Sequence, residues 1–142
     1  MSTRCLVGAV DPDVPTTARL RYVHADGHPA YILPTLYLVW SQTCHRDTTE
    51  LVEALLAHQW SYLGADVSCE TAATFAGEQP VPGVGMASEF DADSTVDRLP
   101  LHGAADRDAR WVYLINPATT TVAVYDGDDL TAPVAVHRIA TP

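Results

Sequence analysis

Residues 21–30, RYVHADGHPA, hold the densest chemistry of the chain: Tyr22, His24, Asp26 and His28 stand around Gly27, and Pro29 follows. Were a strand to run unbroken through this stretch, His24, Asp26 and His28 would share one face at two-residue steps. Two imidazoles and a carboxylate so placed suit zinc or iron. Asp26-Gly27 is, however, a strong turn signal, and a turn breaks that alternation. The structural reading is therefore preferred. Asp26 accepts backbone N–H groups of the turn or of the next helix, and His24 is a core histidine bonded to that carboxylate. Gly27 supplies backbone freedom and Pro29 opens the helix. No cofactor is expected. A hydrolytic alternative would use Cys5, or an activated water, with His24 and Asp26. Ser2 would be a further nucleophile if Met1 were removed.

Other stretches imitate sites. FDADSTV (90–96) resembles the D-x-D-x-T-V signature of haloacid-dehalogenase-like phosphatases. That resemblance implies an aspartate nucleophile and a second aspartate as acid/base. It also implies a buried parallel strand before the motif and a downstream cation, normally lysine. GMASE is no such strand, and the chain has no lysine. The same stretch fails as a calcium loop, because Val96 stands where the sharp turn needs glycine. YDGDDL (125–130) reads as a hairpin tip that exposes its aspartates.

Charge removes further mechanisms. Eighteen acidic residues oppose eight basic ones, all of them arginine, and the net charge is −10. A phosphate-loop lysine, a lysine Schiff base and a lysine general base are all excluded. Direct binding to nucleic acid or to an anionic membrane is disfavoured, since both need a basic face. An acidic protein can instead occupy another protein's nucleic-acid site.

The elements that must position these residues are legible in outline. With 142 residues, 47% hydrophobic content and a mean hydropathy of +0.01, the chain suits one globular domain. Residues 3–10 and 16–24 read as two strands of a hairpin. Ala18, Leu20, Tyr22 and His24 lie on one face, with Arg19, Arg21 and Val23 on the other. Residues 29–44 carry helical spacing through Ile32, Leu33, Leu36, Val39 and Trp40, with Pro34 awkwardly placed. Residues 47–60 form a second helix, capped by Asp47 with Glu50 three positions on, and Gly64 is its expected stop. Residues 64–109 are loop-like with one short strand near VGMASEF. A β-meander closes the chain over 110–139, with Trp111, Tyr113 and Ile115 on one face and Val112 and Leu114 on the other. The order predicts a single α+β domain over 1–142: a mainly antiparallel sheet with two helices packed on one face.

Cys5, Cys44 and Cys69 show no metal spacing and suit a reducing compartment. With no apolar run long enough to span a bilayer and no signal-peptide core, a cytoplasmic location is expected.

The segment also resembles small proteins of bacteriophages and actinobacteria that carry Y-x-H-x-D-G-Y-P before a helix. The matching residues are Thr3 and Arg4, then Tyr22, His24, Asp26, Gly27 and Pro29, then Trp111 to Ile115. This chain departs at His28, where those proteins carry tyrosine, so the pattern offers one histidine rather than two. The resemblance implies the fold and a mobile-element setting, not a chemistry. Small size, acidity and the failure of each catalytic signature point to a non-catalytic accessory protein that docks to a protein partner; a homo-oligomer is compatible with this.

Overall fold

The computed structural model describes residues 3–103 and 109–139. Among the described residues nine strands form one sheet in the order β4 (Gln79–Val81), β5 (Gly85–Ala87), β3 (Trp60–Leu63), β2 (Val14–Val23), β1 (Cys5–Asp11), β7 (Trp111–Asn116), β8 (Thr121–Asp126) and β9 (Ala135–Arg138), with β6 (Asp97–Pro100) added against β2. The N-terminal hairpin is as expected: β1 (Cys5–Asp11) pairs antiparallel with β2 (Val14–Val23). So is the meander of β7 (Trp111–Asn116), β8 (Thr121–Asp126) and β9 (Ala135–Arg138). The two are joined by a parallel pairing of β1 with β7, Cys5 opposite Trp111 through Gly8 opposite Leu114. No local sequence feature announces that contact, because it links segments about a hundred residues apart.

Alternation then sorts the core. Cys5, Val7, Val23, Tyr113, Ile115, Val122 and Val124 form one cluster with the helix residues Ile32, Leu36, Leu51 and Leu55. Leu6, Ala18, Leu20, Tyr22, Val112 and Leu114 face the other way and pack with Leu99 and Leu130. Both helices therefore cover one face, and the opposite face is covered by connecting segments. Burying both faces makes β1 apolar at nearly every position.

The helices are shorter than their periodicity suggests. The first, α1 (Pro29–Leu38), has Pro29 in its first turn and Pro34 inside it, then widens into a π turn over Val39–Thr43. Pro34 has no N–H to give the carbonyl four residues back, and Cys44 donates to Val39 five residues back at 3.0 Å. The second, α2 (Thr48–Leu56), is capped as expected: Glu50 N–H donates to Asp47 Oδ1 at 3.1 Å. It ends well before Gly64. Residues assigned to its last turn instead form β3 (Trp60–Leu63), paired with β5 (Gly85–Ala87) and, at Trp60, with Val23 of β2. Bulky aromatic residues at 60 and 62 favour a pleated, half-buried surface once a sheet edge is present. The short strand expected near VGMASEF is β5. The neighbouring β4 (Gln79–Val81) and β6 (Asp97–Pro100) are additions the patterning missed, at three and four residues each. No helix among the described residues is long and apolar enough to cross a membrane.

Candidate functional site

β2 ends at Val23, so His24, Asp26 and His28 do not share a face. Their turn is fastened by backbone and packing. Gly27 N–H donates to Thr3 O at 2.9 Å, and Tyr113 Oη donates to Gly27 O at 2.6 Å from within the core. A Cβ added at Gly27 would lie 2.8 Å from Cys5 Cβ and 2.9 Å from Thr3 O. Glycine is thus required here for space. The left-handed conformation belongs to Asp26, at φ 59°, a position that aspartate tolerates better than most residues. This corrects the expectation that Gly27 supplies the backbone freedom.

The side chains are distributed differently from the sequence reading as well. The helix cap is His28, whose Nδ1 accepts Ala30 N–H at 3.0 Å, not Asp26. Asp26 is exposed and lines a small cleft of about 210 Å³ with Tyr31, Tyr62 and Asp66. Tyr31 Oη donates to Leu63 O at 2.7 Å; burial above all, and then Asp26 and Asp66, raise its hydroxyl pKa. His24 does not bond Asp26. Its ring stacks on buried Tyr22 with centroids 4.6 Å apart, and Gln59 Nε2 lies 3.0 Å from its Nε2. Arg4 precedes β1, where its carbonyl accepts Arg110 N–H at 2.9 Å. Cys5 is wholly buried, and that burial pushes its thiol pKa far up, away from the thiolate a nucleophile needs. Among the described residues no three His, Cys, Asp or Glu side chains converge to hold a metal ion. Ser2 lies outside the described residues.

A polar network that sequence reading missed lies beside His24. Arg21 donates from Nε to Leu56 O at 2.9 Å and from Nη2 to Ala57 O at 3.4 Å, closing the C-terminus of α2. Its Nη1 reaches Ser94 Oγ at 3.0 Å. Asp91 Oδ2 sits 2.7 Å from His58 Nδ1, and its Oδ1 accepts Gln59 N–H at 2.6 Å. Burial pushes the Asp91 carboxyl up, but His58, the Gln59 N–H and Arg21 together hold it below the usual carboxylate range. The supposed phosphatase aspartate is therefore a brace: it ties a short 3₁₀ turn (Asp91–Asp93) to the junction of α2 and β3. The signal was present as separate residues, His58, Asp91 and Arg21, but 70 positions of chain separate Arg21 from Asp91. Two of the three aspartates of YDGDDL are likewise absorbed by their turn: Asp126 Oδ1 accepts Asp128 N–H at 2.9 Å and Asp129 Oδ1 accepts Thr131 N–H at 3.0 Å.

What the fold leaves open is apolar. On the face without helices, register sets Leu114 of β7, Ala123 of β8 and Val136 of β9 side by side. They line a cleft of about 490 Å³ with Val10, Pro12 and Pro15 from the hairpin end. Val10 is 38% exposed and Val136 58%. On the helix face a second cleft of about 350 Å³ lies between Leu33, Pro34 and Tyr37 of α1 and His137 and Arg138 of β9. Comparison of the chain with known protein families, curated proteins and solved structures returns no match.

Proposed function

We propose that this protein is a non-catalytic accessory protein that works by docking to another protein. The observation that carries this reading is the open apolar cleft on the helix-free face, where Val10 and Val136 stay exposed beside three prolines, Pro12, Pro15 and Pro117. Exposed apolar surface of this kind is costly in water and is characteristic of contact surfaces. A small hydrolase built on Cys5, His24 and Asp26 has less support, since Cys5 is buried, His24 pairs with Gln59 and Asp26 faces a separate cleft. The net charge of −10 favours a protein partner over nucleic acid. The resemblance to small phage and actinobacterial proteins adds a mobile-element setting, and a cytoplasmic location is part of the same proposal.

The test is affinity capture from a host lysate with the parent and with Val10→Asp and Val136→Asp, each checked for an unchanged melting profile. Loss of the same captured protein from both variants is expected. Capture that is identical for all three forms overturns the docking surface, and turnover of a test ester abolished by His24→Ala would restore the hydrolase.

A further inference from the structure

We propose that the small cleft between the His24–Pro29 turn and the end of β3 binds a guanidinium group, the head of an arginine side chain or of a free guanidine compound. This goes beyond the docking reading: the cleft shares no lining residue with either apolar cleft. Its volume is about 210 Å³, and side chains from four parts of the chain bring oxygen atoms to it: Asp26, Tyr31, Tyr62 and Asp66. Two of them are held by bonds made elsewhere. Gly27 is fastened to Thr3 and Tyr113, which fixes the left-handed Asp26 beside it. Tyr31 Oη donates to Leu63 O at 2.7 Å, which leaves its own oxygen able to accept. Gly64 then clears the floor. A Cβ there would lie 2.9 Å from Asp66 Oδ1 and 3.8 Å from Tyr31 Oη, so a carboxylate and a hydroxyl converge on a point that only glycine leaves empty. Gly64 is not in the left-handed region, so it provides space rather than conformation.

The chemistry of the cleft is one-sided. Ionised Asp26 and Asp66 can only accept hydrogen bonds, and neither forms an ion pair among the described residues. No arginine stands between positions 47 and 97, and Arg21, the arginine closest in sequence to Asp26, is engaged by the end of α2 and by Asp91. Both tyrosine hydroxyls register the resulting field. Burial first, then Asp26 and Asp66, raise the pKa of Tyr31; burial, then Glu78 and Asp66, raise that of Tyr62. Acceptors that close on a cleft from several sides call for a ligand made of donors. A guanidinium carries five N–H donors in one plane, has no acceptor, and is more weakly hydrated than an ammonium. A calcium ion asks for about six to eight oxygen ligands, whereas among the described residues no three His, Cys, Asp or Glu side chains converge on an ion.

The probe is N-acetyl-arginine methylamide, titrated into the full chain at physiological ionic strength and followed by NMR. Its lysine and citrulline counterparts are the controls; citrulline keeps the shape of arginine without the charge. The arginine probe should saturate, with shifts centred on Asp26, Tyr31 and Asp66. Both counterparts should bind about tenfold more weakly or worse. Asp26→Asn, Asp66→Asn and Gly64→Ala should each weaken binding about tenfold while the melting profile stays unchanged. If Gly64→Ala melts early, the two asparagine variants decide. Glu53→Gln removes the same charge from an exposed position of α2 and should leave binding as it is. Equal binding of the lysine probe overturns the site, as does an equal loss with Glu53→Gln, a failure to saturate, or tighter binding of calcium with the same shifts. Lysate capture with Asp66→Asn distinguishes the sources, and both results keep the site: capture lost assigns the guanidinium to the partner, capture retained to a free compound. The docking reading is tested through Val10 and Val136, which do not line this cleft, so either proposal can fail alone.

Discussion

The turn at His24–Pro29 and the edge at β9 use their residues in opposite ways. The turn is rich in groups that could do chemistry, and the fold occupies most of them. Cys5 is sealed under Gly27, His28 caps α1, and His24 lies between Tyr22 and Gln59. The edge carries few such groups, yet Val134, Val136, His137 and Arg138 all remain exposed. A buried polar group must find a partner, so reactive side chains near the core become structural ties. An exposed valine has no such obligation, and in the docking reading proposed above it is left for a partner to cover.

The contrast predicts that substitutions in the turn act on stability and those at the edge do not. The largest effect is expected for Gly27→Val, which forces atoms into Cys5 and Thr3 O. A loss of about 3 kcal/mol, at the upper end for overpacking, should appear in urea unfolding. A parent-like midpoint would falsify the close approach at this position. Tyr113→Phe comes next. It leaves Gly27 O without its buried donor and should cost about 1–2 kcal/mol by the same measurement.

Acid titration probes the neighbouring brace. The folded-state pKa of Asp91 is depressed, so its contribution is present above the unfolded value of about 3.9 and is lost as pH falls through the folded value. Asp91→Asn should therefore flatten the fall in stability below about pH 4. Melting temperatures measured between neutral and acid pH decide it, and an unchanged acid limb places the dependence elsewhere, with Glu78 next in line. Three hydrogen bonds, from Ser61 and the Thr74 and Phe75 N–H groups, lower Glu78 against the opposing push of burial.

A smaller effect separates the two turn residues that compete for the cap. His28→Ala should cost about 0.5–1 kcal/mol, while Asp26→Gly, at a left-handed position, should stay within about 0.5 kcal/mol of the parent. The reverse ranking in thermal unfolding would return the cap to Asp26. The smallest effect on stability belongs to Val136→Asp, within about 0.5 kcal/mol as for most surface changes, although it should abolish partner capture. Substantial unfolding of this variant would show the edge to be part of the core and would erase the comparison.

Local pattern was enough for much of this molecule. Period-two alternation over 16–24 and 111–115 assigns faces from sequence alone, because each strand side chain must point to one side or the other. Asp47 with Glu50, Pro29 in a first turn and the stop at Asp26-Gly27 are likewise local events with local causes. What tertiary structure alone decided depends on distant partners. Trp60–Leu63 became a strand because β5 and the end of β2 were there to pair with it. The positive φ fell on Asp26, while Cys5 and Thr3 O, brought up from the start of the chain, leave room for no side chain at residue 27. Asp91 became a brace because Arg21 and His58 arrive beside it from other elements. The two clefts at β9 depend on the register that sets Leu114, Ala123 and Val136 side by side and on α1 lying along His137 and Ile139. Contacts between residues far apart in the chain carry no signature in either residue's neighbourhood, since only chain closure brings them within reach.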